Sequence, residues 1–259
     1  MTRRITPNSQ LPIPKQDVAT PCRLGVGSWK LGIGLFAILA VVVPPASAAG
    51  RAVSFRSEDG RAIPATVFEP SQRPAPAVVL VPMLGRPHED WDAVGQRLAD
   101  ANILALAIDL PGTSDAGDSK VLSGWSADVR AAVSYLASRP EVRVGSIGIA
   151  GASLGANLAA LAAADLTSVR SLALLSPSLD YRGVRIEGAM KQYGGRPALL
   201  IASSHDPYAA RTVRELAKDP PGRRETRFSE AVAHGTALLA RDPDIVRALV
   251  DWFQSTLPR

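Results

Sequence analysis

The sequence predicts an α/β fold: a mostly parallel sheet with helices on both faces and an antiparallel hairpin at its N-terminal end. Short strands that are apolar throughout alternate along the chain with longer amphipathic helices, which is the pattern of a buried parallel sheet. The 259 residues are enough for one such domain with a sizeable core. Their composition, 46% hydrophobic and 20% charged, is that of a globular protein and excludes a disordered chain.

The elements follow in order from a hairpin. Residues 52–55 and 63–68 flank an Asp59-Gly60 pair, which signals a tight turn between antiparallel strands. The later predicted strands are residues 77–81, 103–108, 146–150, 172–175, 198–202 and 225–228. The predicted helices are residues 89–102, 125–136, 154–164, 209–218 and a last helix around residues 245–253. Active sites of such sheets lie at the carboxyl ends of the strands.

Residues 1–48 are predicted to be a leader that precedes a catalytic domain at residues 49–259. Residues 31–43 form an uncharged apolar run, Lys30 precedes it, and the small residues Ala46-Ser47-Ala48 follow it. This order is typical of a cleaved secretory signal peptide, so we expect export to the periplasm or outside the cell. The alternatives are an uncleaved membrane anchor at residues 31–43 or a buried helix of the core.

The stretch before this apolar run is longer than the usual start of a signal peptide. One interpretation is a true start downstream, near Leu24 or Val26. The pair Arg3-Arg4 also resembles a twin-arginine export signal, although it lies far from the apolar run.

The charge and cysteine content exclude several classes of function. Five of the 29 basic residues but only one of the 24 acidic residues lie within residues 1–49, so the net charge of +5 belongs mostly to the leader. We therefore expect no nucleic-acid partner, and membrane contact only through an uncleaved leader. The single cysteine, Cys22, also lies in the leader, which excludes a cysteine nucleophile or a cysteine metal site in the domain.

A serine between two glycines is the candidate nucleophile. Gly151-Ala152-Ser153-Leu154-Gly155 stands between a predicted strand and a predicted helix. A serine on such a sharp turn needs a strained backbone, and the glycines leave room for that turn. The turn also puts the Leu154 N–H at a helix N-terminus, where it can stabilise an oxyanion.

His234 and Asp206 are the candidate base and acid. His234 follows the last predicted strand, and Asp206 follows the strand at residues 198–202. A serine nucleophile needs a neighbouring base, and a carboxylate can hold the imidazole in the correct tautomer. Asp206 could instead only cap the next helix, because Pro207 follows it, and Asp180 is the competing acid.

The loop after residues 77–81 is expected to supply the second oxyanion donor. We predict the Leu84 N–H for this role, with Gly85 allowing a close approach of the backbone, because Pro82 has no N–H. Arg86 and His88 could line the entrance and favour an anionic substrate, or they could belong to a solvated loop. Asp109 is expected to fix the loop after its own strand, and His205 to lie at the rim of the site.

These motifs together resemble the dienelactone hydrolase-like branch of the α/β-hydrolase superfamily, and the resemblance covers roughly residues 52–257. The matching stretches are Val-Pro-Met-Leu-Gly-Arg at 81–86, Ala-Ile-Asp-Leu-Pro-Gly at 107–112, Gly-Ile-Ala-Gly-Ala-Ser-Leu-Gly at 148–155, Ser-His-Asp-Pro-Tyr at 204–208 and His-Gly at 234–235. Two positions depart from the family. Dienelactone hydrolases use a cysteine where this chain has Ser153, and many relatives have His-Gly where it has Pro82-Met83.

The resemblance and the residues imply a serine hydrolase that cleaves small-molecule carboxylic esters through an acyl-enzyme intermediate, without a metal or organic cofactor. Peptidase or acyltransferase activity on the same three residues is an alternative, and so is a non-catalytic binding protein with this fold. Only about 20 residues separate the strands at 172–175 and 198–202, so a large lid domain has no room and we expect an open site. The sequence does not define the oligomeric state or the natural substrate.

Overall fold

Eight strands form one sheet in the computed structural model of the chain, in which residues 50–112, 118–218 and 222–258 are described. The predicted leader, with its cleavage site and the apolar run at residues 31–43, lies outside these residues. Among the described residues, no helix combines the length and the apolar character needed to cross a bilayer.

The strands and helices alternate as the sequence predicts. The strands are β1 (Arg51–Arg56), β2 (Ala62–Phe68), β3 (Ala75–Val81), β4 (Leu104–Ile108), β5 (Val142–Ala152), β6 (Val169–Leu175), β7 (Asp180–Tyr181), β8 (Val184–Arg185), β9 (Ala198–Ser203) and β10 (Arg224–Ser229). The helices are α1 (Asp92–Asp100), α2 (Ser119–Gly124), α3 (Ser126–Ala137), α4 (Leu154–Asp165), α5 (Glu187–Tyr193), α6 (Pro207–Leu216), α7 (Ala237–Arg241) and α8 (Pro243–Thr256).

The strand order of the large sheet is β1-β2-β4-β3-β5-β6-β9-β10. The strand β2 runs antiparallel to both β1 and β4, and every other neighbouring pair is parallel. The prediction of a mostly parallel sheet with an N-terminal antiparallel hairpin is therefore confirmed. The strand β5 is central, and its Gly151 pairs with Val81 of β3 on one side and Leu174 of β6 on the other.

Helices cover both faces of the sheet, and the side chains of each strand alternate between two separate cores. On β3, Val79 and Val81 belong to the core beneath α2–α6, whereas Val78 and Leu80 belong to the core beneath α1, α7 and α8. Because each strand is buried on both faces, its sequence is apolar without interruption.

The structure differs from the sequence predictions mainly at short elements. The helix predicted from residue 89 begins as a 3-10 helix, His88–Trp91, and only then continues as α1. The strand β5 is eleven residues long, longer than predicted. The short elements α2, α5, α7, β7 and β8 were not predicted. Of these, β7, β8 and α5 are all that residues 176–197 contain between β6 and β9, too little for a large lid domain.

Candidate active site

Ser153 stands on a strained turn between β5 and α4. Its φ is 52° and its ψ −120°, a backbone conformation that a residue with a side chain adopts only when its surroundings enforce it. The Ser153 N–H donates to the carbonyl of Leu175 at 2.9 Å, and the Ser153 carbonyl accepts the first hydrogen bonds of α4, from Ala156 and Asn157. These bonds hold the turn from both sides.

The two glycines of the turn are required by backbone contacts. A Cβ at Gly151 would lie 2.2 Å from the carbonyl oxygen of Gly155, and a Cβ at Gly155 would lie 2.2 Å from the carbonyl oxygen of Pro82. Neither oxygen belongs to a side chain that could move away. Gly155 therefore lets the start of the loop after β3 approach the N-terminus of α4.

The helix α4 presents its positive N-terminal end to this turn. Leu154 is its first residue, so the Leu154 N–H has no acceptor within the helix and is free to bind an anion. The helix is apolar on all sides and is buried almost completely. Its one buried polar side chain in the first two turns, Asn157, donates to the carbonyls of Ser178 and Val184 and accepts from the Ser178 N–H.

The structure brings the three predicted residues, Ser153, His234 and Asp206, into one hydrogen-bonded chain. His234 Nε2 lies 2.8 Å from Ser153 Oγ, and His234 Nδ1 lies 2.5 Å from an oxygen of Asp206. The Ser153 residue is only 8% exposed, whereas the imidazole of His234 is 46% exposed. An Nδ1–H that donates to Asp206 leaves Nε2 as an acceptor for the serine hydroxyl, which is the tautomer a general base needs.

Asp206 uses its two oxygens for two different tasks. One oxygen contacts His234, while the other accepts the N–H of Ala209 at 3.1 Å and caps α6, whose first residue is Pro207. The sequence left a choice between an acid and a helix cap, and the geometry accommodates both at once. The competing acid, Asp180, lies in the β7–β8 hairpin. There a hydrogen bond from Arg185 and one from the Gly183 N–H lower the pKa of the Asp180 carboxyl.

Leu84 lies in the loop after β3, half-buried, with its side chain against the core beneath α2–α6. Gly85 follows with a φ of 71°, a conformation that favours glycine and turns the loop back. The N–H of Arg86 then donates to the carbonyl of Met83 and closes the turn. The start of the loop, at Pro82, lies against Gly155 of α4, and the Leu84 N–H stays a predicted oxyanion donor.

His88 does not line the entrance, as one interpretation of the sequence had it, and it is not solvated either. It is buried, with Nδ1 2.8 Å from Asp109 and Nε2 2.9 Å from the hydroxyl of Thr66. With Glu89, His88 and Asp109 form the group of ligand-type side chains best placed for a metal among the described residues. Because both ring nitrogens of His88 are already hydrogen-bonded, we interpret this group as a network that fixes the loops after β3 and β4.

An open groove of about 650 Å³ lies beside His234, between the 3-10 helix with α1 on one side and α7 on the other. Its lining residues are Met83, Arg86, Glu89, Asp90, Asp92, Ala93, His234, Thr236, Ala237, Leu239, Ala240 and Arg241. Arg86 lies here, in line with the interpretation that it lines the entrance, but its Nε and one terminal nitrogen both donate to the carboxylate of Asp90, at 2.8 Å each. The interpretation that Arg86 and His88 favour an anionic substrate therefore loses its main source.

Sequence reasoning missed several residues that hold the site together. Ser176, buried and with a φ of 50°, accepts the N–H of Gly235 through its hydroxyl at 3.0 Å. Thr236 donates its hydroxyl to Asp90 at 2.5 Å across 146 positions of sequence. Asn157 ties the loop after β6 to α4. Of these, only Asn157 could have been suspected from sequence, since a polar residue interrupts an otherwise apolar helix. His205, predicted at the rim, is half-exposed and lies 3.7 Å from Glu230.

The model of the alpha/beta hydrolase family matches residues 78–257 of the chain, which include every strand and helix from β4 to α8. A comparison with curated proteins found no significant match.

Among solved structures, the chain is similar to a dienelactone hydrolase from Anabaena variabilis, with a TM-score of 0.66 and 18% identity over 81% of this chain and 98% of that one. It is also similar to EstE1, a thermophilic carboxylesterase cloned from a metagenomic library, with a TM-score of 0.64 and 21% identity over 83% and 91% of the two chains. A Pyrobaculum calidifontis esterase gives a TM-score of 0.63 and 20% identity over 80% and 85%. Identities this low show a shared fold.

Proposed function

The chain belongs to the alpha/beta hydrolase family, and we propose that it is a serine hydrolase that cleaves carboxylic esters through an acyl-enzyme intermediate. The observation that carries the proposal is the chain of contacts from Ser153 Oγ through His234 to Asp206, at 2.8 and 2.5 Å, on a strained turn. A buried serine beside a half-exposed imidazole suits a nucleophile that is fixed and a base that must also reach water.

In the acylation step, His234 Nε2 takes the hydroxyl proton of Ser153 as Oγ attacks the ester carbonyl carbon. The carbonyl oxygen becomes an oxyanion, for which the N–H groups of Leu154 and Leu84 are the proposed donors. Asp206 stabilises the imidazolium that forms. When the tetrahedral intermediate collapses, the bond to the alcohol breaks and the imidazolium gives its proton to the departing alkoxide.

In the deacylation step, His234 takes a proton from a water molecule whose oxygen attacks the acyl carbon. Collapse of the second tetrahedral intermediate releases the carboxylic acid and returns the proton to Ser153 Oγ. Each step conserves atoms and charge without a metal ion or an organic cofactor. Because the imidazole of His234 is exposed to solvent, water can reach it for this step.

The groove beside His234 suits a small or extended ester. Its volume of about 650 Å³ is within the range of ligand sites, and it is open to solvent. The proton of His234 must reach the leaving alcohol, so we assign the groove next to His234 to the alcohol side of the substrate. Since Arg86 is neutralised by Asp90, we expect neutral alcohols to bind there as well as anionic ones or better.

Ester hydrolysis is preferred over the alternatives because the similar solved structures include a dienelactone hydrolase and two esterases. Peptidase and acyltransferase reactions would use the same Ser153 chemistry with another leaving group or acceptor. A non-catalytic binding protein would have no use for a serine held in a strained conformation against an imidazole.

The experiment is hydrolysis of p-nitrophenyl esters of increasing acyl length by the purified protein, beside Ser153→Ala and His234→Ala. We expect both variants to lose activity by about 10⁴-fold or more. A serine-reactive fluorophosphonate should label the wild-type protein and leave Ser153→Ala unlabelled. Full esterase activity in Ser153→Ala contradicts the proposal. Labelling of Ser153 without turnover of any ester would favour the peptidase or acyltransferase reaction.

We also propose export, which rests on the sequence of residues 1–48 alone. Expression of the full chain should give a mature protein that begins at Ala49 and is found outside the cytoplasm. The matched control is Ala48→Gln, which removes the small residue before the cleavage site and should leave the precursor unprocessed. A protein that keeps its first 48 residues and stays in the cytoplasm would contradict export, and one kept at the membrane would favour the anchor.

A further inference from the structure

Two loops that are distant in sequence meet next to the imidazole. The loop after β3 carries Leu84, the proposed oxyanion donor, and the loop after β10 carries His234. They touch at Gly235, where a Cβ would lie 2.8 Å from the Met83 sulfur, and at Thr236, whose hydroxyl donates to Asp90. The segment that follows His234 thus packs against the residues on either side of Leu84.

Asp90 occupies the centre of this contact. Its carboxylate accepts two hydrogen bonds from Arg86, from Nε and from a terminal nitrogen, and a third from Thr236 at 2.5 Å. The N–H of Asp90 donates to the carbonyl of Pro87, which fixes the aspartate on its own turn. Such a planar, bidentate arrangement specifies orientation as well as distance.

The Thr236 end of the contact is buried. Thr236 is 4% exposed, and the side chain of Asp90 is 16% exposed, whereas the Arg86 side chain is 55% exposed. A hydrogen bond to a charged acceptor away from solvent contributes more than an exposed ion pair does. The Thr236–Asp90 bond is therefore the solvent-protected end of the contact, and Arg86 orients the Asp90 carboxylate from the exposed end.

We propose that Asp90 is a positioning residue that joins the two loops through Thr236 and Arg86 and so fixes the His234 imidazole relative to the oxyanion site. The inference rests on the proposed serine-hydrolase function. His234 is half-exposed and lies on a loop, so packing alone does not hold it. Its following residue is bonded to Ser176 on one side, and Thr236 is bonded to Asp90 on the other. Together they hold the backbone that carries the imidazole, which the contact with Asp206 turns toward Ser153.

The test compares Thr236→Val, which removes the hydroxyl at nearly constant shape, with Thr236→Ser, which keeps it. We expect Thr236→Val to lower kcat about 10- to 100-fold with KM within about twofold, because a small misplacement of a catalytic group has effects of this size. Thr236→Ser should retain kcat within about threefold. Thr212→Val, which removes another buried hydroxyl in α6, is the matched control and should leave kcat unchanged.

A second readout does not depend on turnover. The proton between His234 Nδ1 and Asp206 should give a far-downfield proton resonance, and Thr236→Val should shift or broaden it while Thr236→Ser and Thr212→Val preserve it. Thr236→Val with wild-type kcat and an unchanged resonance overturns the inference, and so does an equal loss of kcat in Thr236→Ser. If Thr236→Val does not fold, Asp90→Asn replaces it, and full activity in that variant overturns the inference.

The two proposals fail in different ways. If the wild-type protein neither hydrolyses esters nor reacts with a fluorophosphonate, the proposed function fails, and the His234 resonance still tests the link through Asp90. If the wild-type protein is active and labelled, and Thr236→Val is labelled at the same rate, the function stands and the positioning role of Asp90 fails.

Discussion

The turn that carries Ser153 and the loop that carries His234 meet at the candidate active site, but different interactions hold them in place. The serine turn is held by backbone: the glycine at 151 packs on the carbonyl of Gly155, and Gly155 packs on the carbonyl of Pro82. The histidine loop is held by side chains, through the hydroxyls of Ser176 and Thr236. The turn at Ser153 is therefore fixed by steric contacts of the backbone, whereas the position of the His234 loop depends on individual side-chain hydrogen bonds.

This difference predicts how substitutions in each segment affect folding and activity. Backbone contacts have no alternative rotamer, so a change at the serine turn must disturb the fold. Side-chain hydrogen bonds can be lost without rearranging the chain, so a change near His234 should reduce activity while the fold persists. Four predictions test the contrast, from the largest expected effect to the smallest.

The largest effect is expected at Asp206, on activity alone. Asp206→Asn should lower kcat by about 10⁴-fold, because an amide disfavours the imidazole tautomer that accepts the serine proton. Asparagine caps helices as well as aspartate does, so the free energy of unfolding should change by less than about 0.5 kcal/mol. Asp206→Ala should lose the cap as well, at a further cost of about 1 kcal/mol. Ester kinetics and urea unfolding measure both quantities.

The control for this prediction is Asp180→Asn, which neutralises the competing acid. Its carboxylate is bonded to Arg185 and to the Gly183 N–H, whereas His234 is bonded to Asp206, so we expect kcat within about twofold of wild type. A loss of activity in Asp180→Asn equal to that in Asp206→Asn would mean that the acid was assigned to the wrong residue.

The next effect is expected at Gly155, on stability. Gly155→Ala forces a Cβ to within 2.2 Å of the Pro82 carbonyl oxygen, and we expect a loss of about 3 kcal/mol or more in the free energy of unfolding. Gly188→Ala is the matched control, because nothing lies within 4 Å of its added Cβ in α5. That variant should gain about 0.5 kcal/mol from helix propensity. Equal stability of the two variants would remove the steric account of the serine turn.

A smaller effect is expected at Gly235, the glycine of the histidine loop. Its φ of 57° costs alanine about 1–2 kcal/mol, and the atom that its Cβ would meet is the flexible end of Met83. Thermal unfolding should show that Met83→Ala in the Gly235→Ala background recovers part of the loss. If Gly235→Ala lowers the stability as much as Gly155→Ala does, and Met83→Ala restores none of it, the two segments do not differ as proposed.

The smallest effect is a pH dependence from Asp90. The hydrogen bonds from Arg86, opposed by partial burial and aided by Thr236, hold the pKa of the Asp90 carboxyl below its usual range. A carboxyl with a lowered pKa in the folded state stabilises the fold above its unfolded pKa, and this contribution is lost as pH falls through the folded pKa. The stability difference between wild type and Asp90→Asn should therefore shrink from pH 7 toward pH 3. A difference that stays constant over this range would contradict the assignment.

The same contrast explains how much the sequence could predict. The sheet and Ser153 were predictable because their signals are local: an apolar run that ends in Gly-x-Ser-x-Gly. Asp206 and His234 could be proposed because each lies in the loop that follows a strand, three and five residues past its end. Thr236 and Asp90 could not, because their contact spans 146 positions and hydroxyls and carboxylates are common on surfaces.

The short elements escaped prediction for a related physical reason. Helices α2, α5 and α7 have five to seven residues, too few for a helical period to be distinguished from chance. His88 was misjudged because its partners are distant in sequence: Thr66 lies on β2 and Asp109 follows β4. A histidine in a loop with a proline beside it gives no local sign that a pocket closes around it.

The double task of Asp206 has an evolutionary consequence. Aspartate and asparagine codons differ by one base, and asparagine would keep the cap on α6 and the outline of the site. A single mutation would thus abolish catalysis while leaving a folded protein with an intact groove, which proteases that degrade unfolded proteins would not remove. Descendants of this chain could become inactive receptors for the molecules that their ancestor cleaved. In a population of related genes, the residue at position 206 is where we would look to separate working enzymes from pseudoenzymes.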